Sequence, residues 1–172
     1  KGLACEKPLK NAVIPSHFIV PMAQSLGSPA ECLVHVGDEV REGMLIGKAT
    51  GFISSNVHSP VPGLVKEIRT IYLPSGEKTQ AVVIEMQGEF DRSGKRQDAR
   101  GWEQFSAQEL LGIMAEKGLV GLGGATFPVH VKLSVPKGAT LDTLVVNGVE
   151  CEPYLTADHR LMLEKTAEII EG

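Results

Sequence analysis

The sequence predicts a multidomain α+β chain: a small sandwich or barrel of short β-strands, followed by the beginning of an α/β unit of the nucleotide-binding type. Three observations predict it. Between residues 31 and 90 short alternating apolar runs are punctuated by glycine, the pattern of a small all-β module. After residue 105 the apolar period changes to that of a helix. A glycine-rich run at 121–124 then precedes a short apolar run and a second helical pattern, giving the order helix, glycine loop, strand, helix. Because that loop comes before the strand, it is not the usual Rossmann fingerprint.

Residues 1–30 read as an extended segment, part of which can belong to the β module, since Pro8, Pro15, Pro21 and Pro29 favour extended or turn conformations. In 31–90 the predicted strands are Leu33 to Val36, Val40, Leu45 to Gly47, then, after the stretch Val57 to Gly63, Leu64 to Ile68, and Ala81 to Met86, with turns at Gly37-Asp38 and Glu42-Gly43. The last is the clearest, from its β-branched content. Residues 91–104 read as a polar surface linker, and 105–172 as the N-terminal part of the α/β unit. There Ser106 and Glu109 have capping-box spacing, Leu110, Leu111, Met114 and Leu119 supply an apolar face, and Gly118 is a plausible stop. The run Leu144-Val145-Val146 reads as a strand. A second helix begins near Thr156 or Asp158 and carries Leu161, Leu163, Ala167 and Ile170.

At 172 residues the chain is long enough for one ordinary domain or two small ones, and 42% hydrophobic with 22% charged residues is globular composition. A net charge of −4 and 5% aromatic residues provide neither the basic stripe nor the stacking surface of a nucleic-acid binder. The three cysteines, Cys5, Cys32 and Cys151, form no C-x-x-C pair and no disulfide framework, which favours a reducing compartment. No apolar run has membrane-spanning length. The start at Lys1-Gly2-Leu3 and the stop just after an apparent helix read as a piece of a longer protein.

The residues that carry chemistry fall in two stretches. Gly121-Leu122-Gly123-Gly124-Ala125-Thr126-Phe127-Pro128 allows close approach of a ligand to backbone, and Lys132 beyond it supplies a cation for an anionic group. Asn147-Gly148-Val149-Glu150-Cys151-Glu152-Pro153 follows the predicted strand with carboxylates. Together they fit two sides of a pocket for a phosphate-bearing cofactor. The glycines taken alone also fit a plain helix end and a tight turn before Pro128; the second stretch and Lys132 favour the pocket. His35 and His58, in no metal-ligand spacing, read as surface or half-buried side chains, and no metal site is expected. Glu150 and Glu152 would raise the pKa of Cys151, which favours a packing cysteine over a nucleophile.

The pattern Val36-Gly37-Asp38-x-Val40-x-x-Gly43-x-x-Ile46-Gly47, with Ser59-Pro60-Val61-x-Gly63-x-Val65, resembles the lipoyl- and biotinyl-carrier family, in which two such hairpins form a barrel-sandwich hybrid. Carriers present a modifiable lysine at a hairpin tip. Here that tip reads Gly51-Phe52-Ile53-Ser54-Ser55, and Lys48 lies too far back. The resemblance therefore implies the fold without the covalent cofactor.

The second stretch resembles the flavin- and NADH-binding subunit of respiratory complex I, which carries Gly-Arg-Gly-Gly-Ala-Gly-Phe-Pro and Asn-Gly-Asp-Glu-x-Glu-Pro runs. With a barrel-sandwich module in front, the whole chain is similar to the RnfC family of the Rnf complex, membrane-associated NADH:ferredoxin oxidoreductases coupled to ion transport. The family's typical Gly-Leu-Gly-Gly-Ala-Thr-Phe-Pro and Asn-Gly-x-Glu-Cys-Glu-Pro-Tyr stand at 121–128 and 147–154. The resemblance implies a Rossmann-like domain binding FMN and NADH. In it Gly121, Gly123 and Gly124 would turn backbone N–H groups toward the flavin and its phosphate. Lys132 would neutralise that phosphate, Asn147 would hydrogen-bond the flavin, and Phe127 would stack on the dinucleotide. Glu150 and Glu152 would orient its ribose or nicotinamide. The complex I arginine is Leu122 here and its first acidic residue is Val149.

The resemblance also implies electron flow from NADH through flavin toward 4Fe-4S clusters, which need spacings this chain lacks and are expected outside it. The implied partners are other subunits of a membrane-bound redox complex, and the implied place is peripheral, on the cytoplasmic side of the bacterial inner membrane. This piece alone is expected to be inactive. A non-catalytic docking module of a redox complex, or an unmodified carrier-like domain, are the alternatives.

Overall fold

The computed structural model describes residues 2, 4–90, 101–122 and 125–172. Most of the predicted linker (91–100) and the predicted site residues Gly123 and Gly124 lie outside the described residues. The chain forms two compact units, one of Pro15–Pro136 and one of Lys1–Ile14 with Lys137–Gly172.

Among the described residues the larger unit has seven strands: β1 (His17–Pro21), β2 (Glu31–Cys32), β3 (Glu39–Val40), β4 (Leu45–Lys48), β5 (Val57–His58), β6 (Gly63–Tyr72) and β7 (Lys78–Met86). Four form one sheet in the order β1-β7-β6-β3, and three form a second in the order β2-β4-β5. The β6–β7 hairpin is the backbone of the module, paired from Gly63 opposite Met86 to Tyr72 opposite Lys78, with a bulge between Val65 and Glu67. Alternation places Val65, Val82 and Ile84 inward, where they pack with Val20, Met22, Val40, Ile46, Val57 and Val61 into one core. The buried hydroxyls are bonded: Ser59 donates to the Val61 carbonyl at 2.7 Å and Ser54 to the Ser28 carbonyl at 2.8 Å.

Strands β1, β2, β6 and β7 differ from expectation, and β5 forms within the stretch Val57 to Gly63, where no strand is expected. β1 lies inside the segment read as extended or turn and pairs antiparallel with β7, Phe18 opposite Ile84 and Val20 opposite Val82. It tolerates Pro21 because it is an edge strand. The predicted strand at Leu33 to Val36 is displaced to Glu31–Cys32. Past Leu33 the chain leaves the ladder: the Asp38 carboxylate accepts the His35 N–H at 2.8 Å, a local bond that competes with strand pairing. β6 and β7 extend well beyond the predicted spans into Arg69 to Gln80, where neither face is continuously apolar and alternation gives no signal.

Beyond the linker a single 3-10 turn (Trp102–Gln104) leads to α1 (Ala107–Glu116). The expected capping box is present in full: Ser106 accepts from Glu109 N, and the Glu109 carboxylate accepts from Ser106 N at 2.7 Å. The Ser106 hydroxyl, which donates to the same carboxylate at 2.7 Å, and then the Ser106 N–H hold the Glu109 carboxyl below the usual range. The helix ends at Gly118, whose φ of 66° is the left-handed conformation expected of a stop. A short α2 (Val129–Lys132), not expected from the sequence, follows the glycine loop.

In the smaller unit, α3 (Ala157–Glu164) begins where predicted and continues after a break at Lys165 as α4 (Thr166–Glu171). The predicted strand Leu144-Val145-Val146 does not form: no described strand lies beside it, and its side chains are 81, 81 and 71% exposed. A strand without a ladder partner has no stabilising hydrogen bonds.

Ile84 is fully buried at the centre of the β module. Ile84→Ala is expected to destabilise the unit by about 2–5 kcal/mol and Ile84→Val by about 0.5–1.5 kcal/mol; chemical denaturation followed by circular dichroism checks both, and equal midpoints would refute this placement of the core.

Candidate functional site

The glycine loop hangs from an isolated antiparallel bridge between Val120 and Pro128. Gly121 N donates to the Phe127 carbonyl at 2.9 Å, and Val129 N donates to the Leu119 carbonyl at 2.9 Å, so the two ends of the loop are pinned together. The glycines therefore do not simply end α1; Gly118 does that, and the loop is a separate closed feature. The N–H of Gly121 closes the loop and is not free to face an anion. α2 carries Lys132 back over the loop. A Cβ added to Gly121 would stand 3.5 Å from the Lys132 ammonium nitrogen, an ordinary contact, and the Gly121 φ is not positive. The structure thus brings Gly121, Phe127 and Lys132 together, with Lys132 exposed and Phe127 half-buried. Thr126 has a φ of 44°, a strained conformation for a β-branched residue, and its carbonyl accepts the Leu26 N–H at 3.3 Å.

Asn147, Glu150 and Glu152 belong to the other unit. Asn147 bends the chain locally, its Oδ1 accepting Val149 N at 3.0 Å. Glu150 Oε1 accepts His159 N at 3.0 Å and so caps α3, a task the nominal cap Thr156 leaves undone. Glu152 accepts the Cys151 thiol at 2.8 Å. Beside Asn147 and Gly148 lies an open hollow of about 680 Å³. It is walled by Leu144, Val146, Leu161, Met162 and Ile169, with Asp158 on its rim. From the sequence Asp158 is legible only as a helix start. Its position one turn before Met162 on the same helix is the signal that could have placed it here.

The tip of the β module is also built differently from a carrier arm. Phe52 is 76% exposed, but Ser54 and Ser55 are buried. Ser54 Oγ bonds back to Ser28 O and Ser55 Oγ to Ser25 Oγ at 2.9 Å, so the 49–56 loop is stitched to the 25–28 loop. Lys48, in β4, is opposite Glu31 and away from this tip. His58 is half-buried, as expected; burial, then the Lys117 ammonium, hold its pKa low against a smaller opposing pull from Glu116. His35 is exposed. Among the described residues no group of three or more His, Cys, Asp or Glu side chains could hold a metal ion, and no helix is long and apolar enough to cross a membrane.

Cys151 is exposed, which overturns the expectation of a packing cysteine. The direction of its pKa is as expected: the hydrogen bond to the Glu152 carboxylate, with its charge and that of Asp158, pushes the thiol up; Glu150 takes no part. Alkylation of Cys151 is therefore expected to be slow at neutral pH and to accelerate only above the range of a free thiol. Glu152→Gln is expected to move that pH–rate profile downward, as read by mass spectrometry of iodoacetamide adducts; an unmoved profile would show that Glu152 does not control the thiol.

Residues 1–89 match the family described as the RnfC barrel sandwich hybrid domain, and residues 114–172 match the Nuo51 FMN-binding domain. Three relatives, each a C component of an ion-translocating oxidoreductase complex, align with the whole chain. It is 42% identical to the one from the proton-translocating ferredoxin:NAD(+) oxidoreductase complex of Clostridium ljungdahlii, spanning 38% of that protein. It is 38% identical to the one from the Na(+)-translocating ferredoxin:NAD(+) oxidoreductase complex of Acetobacterium woodii, spanning 39% of it. It is also 38% identical to the one from the ion-translocating oxidoreductase complex of Rhodobacter capsulatus, spanning 33% of it. The chain thus covers well under half the length of the curated relatives it matches. Its two-sheet module, its glycine loop and these matches agree: the chain belongs to the RnfC family, a barrel-sandwich hybrid joined to a domain of the FMN-binding type.

Proposed function

We propose that this chain supplies residues of a flavin site in the electron-entry subunit of an ion-translocating NADH:ferredoxin oxidoreductase complex. The observation that carries the reading is the Lys132 ammonium held beside Gly121 at a pinned loop, inside the residues that match an FMN-binding domain. A cation with ordinary clearance over a residue lacking a side chain fits a phosphate approaching the backbone. Lys132 would hold the flavin phosphate, with the glycine run lining the approach. Asn147, beside the apolar hollow, would hydrogen-bond the flavin. Phe127 would offer a ring to the dinucleotide, and the free carboxylate oxygens of Glu150 and Glu152 would accept from its hydroxyl or amide groups.

When bound, the flavin supplies the step from a two-electron hydride donor to one-electron carriers. The 4Fe-4S clusters that take those electrons would belong to parts of the full-length protein outside this chain, which has only three cysteines. Other subunits of the complex would be its protein partners, and a peripheral position on the cytoplasmic side of the membrane fits a protein that receives NADH.

In the full-length protein Lys132→Ala is expected to weaken FMN retention about ten- to a hundredfold, the worth of one charge-assisted hydrogen bond. Glu150→Gln keeps an oxygen to cap α3 and is expected to slow NADH-driven flavin reduction while leaving the fold intact. Flavin content and stopped-flow absorbance read the two effects. A full-length wild-type protein that neither retains FMN nor is reduced by NADH would sink the reading. Residues 1–172 alone are expected to bind FMN weakly or not at all, and micromolar binding by titration calorimetry would contradict that.

A further inference from the structure

The place where a carrier domain would present its modified lysine is here occupied by protein. Asn56, at the base of the 49–56 loop, accepts Ala49 N through Oδ1 at 2.9 Å and donates through Nδ2 to the Glu116 carbonyl at 2.8 Å. The second bond reaches across 60 residues to the C-terminal end of α1, whose last carbonyls have no partner inside the helix. Directly beyond, Gly118 presses on the same residue: a Cβ there would stand 2.2 Å from the Asn56 carbonyl oxygen, and its φ is positive. Only a glycine fits both demands.

From Gly118 the path to the glycine loop is short. Leu119 N is held by the Met114 carbonyl, Val120 bridges Pro128, and Gly121 closes on Phe127. The loop's far side is held by the β module as well, through Leu26 N on the carbonyl of the strained Thr126. The 25–28 segment is itself stitched to the 49–56 loop by the Ser25, Ser28, Ser54 and Ser55 bonds, and Gly27 is packed against the Ile53 carbonyl. Both anchors of the glycine loop therefore run to one hairpin tip.

We propose that this tip is the positioning platform of the phosphate half-site, with Asn56 and Gly118 as positioning residues that fix where Gly121 and Lys132 stand. The proposal rests on the flavin reading above. It assigns the β module a part in cofactor binding without any contact between Asn56 and the cofactor.

The test uses the full-length protein. Asn56→Asp keeps an acceptor for Ala49 N but sets a carboxylate against the Glu116 carbonyl, so the module's own bond survives and the bond across to α1 is lost. Native-state hydrogen exchange is expected to quicken at the Gly121 and Val129 amides and to stay unchanged along β6 and β7. Unchanged exchange at Gly121 and Val129 overturns the proposal whether or not flavin binds. FMN affinity is expected to fall about two- to tenfold in Asn56→Asp and Asn56→Ala, the worth of one hydrogen bond, and at least as far in Gly118→Ala, whose added Cβ would meet the Asn56 carbonyl. Ile84→Val, a core truncation remote from the tip, is expected to leave it unchanged. Wild-type affinity in Asn56→Asp overturns the positioning role, and so does an equal loss in Ile84→Val. A wild-type protein without flavin would defeat the flavin reading instead.

Discussion

The contact between Asn56 and the end of α1 is the constraint that ties the helix, and the glycine loop after it, to the β module. A helix that ends against another module satisfies its last carbonyls there or leaves them to water. Asn56 satisfies one of them, and Gly118 turns the chain with no side chain in the way. The same backbone segment then becomes one leg of the glycine loop. The position of the loop is thus set by the β module's tip as much as by the helix that precedes it in sequence.

This arrangement explains which parts were legible in the sequence. The capping box at Ser106 and the stop at Gly118 are local, within one turn of the residues they govern, and both are present. So are the turns at Gly37 and Gly43, which separate strands whose inward residues alternate as expected. The module's fold followed from that alternation. β1 did not, because its pairing with β7 is long-range and its ends are marked by proline. Asn56 was equally hidden: its partner lies 60 residues away, and Asn before Val-His-Ser-Pro has no periodic signature.

The acidic stretch teaches a different lesson. Its residue types suggested free acceptors, yet each is partly committed at short range: Asn147 to Val149 N, Glu150 to the start of α3, Glu152 to the neighbouring thiol. A carboxylate has two oxygens and about four acceptor positions, so capping α3 leaves Glu150 capacity for a ligand and fixes its orientation in advance. Pre-ordering of that kind lowers the entropy lost when a ligand arrives. Leu144-Val145-Val146 misleads for the opposite reason. Apolar, β-branched composition describes what a strand would bury, but a strand exists only where a neighbour supplies the ladder.

A carrier domain and this module share a scaffold and place opposite demands on its tip. A carrier's lysine has to swing between sites, which requires an exposed and lightly packed turn. Here Ser54 and Ser55 are buried and bonded to the adjacent loop, and Ile53 is packed on Gly27. Those contacts remove the freedom an arm would need. The adjacent 25–28 segment also bonds the Thr126 carbonyl through Leu26 N, and Thr126 stands at a φ of 44°, a conformation that costs on the order of 1–3 kcal/mol and persists only where its surroundings over-determine it. The hairpin end that lacks a lysine is thus the one whose neighbouring 25–28 segment bonds to the strained threonine, through Leu26 N on the Thr126 carbonyl.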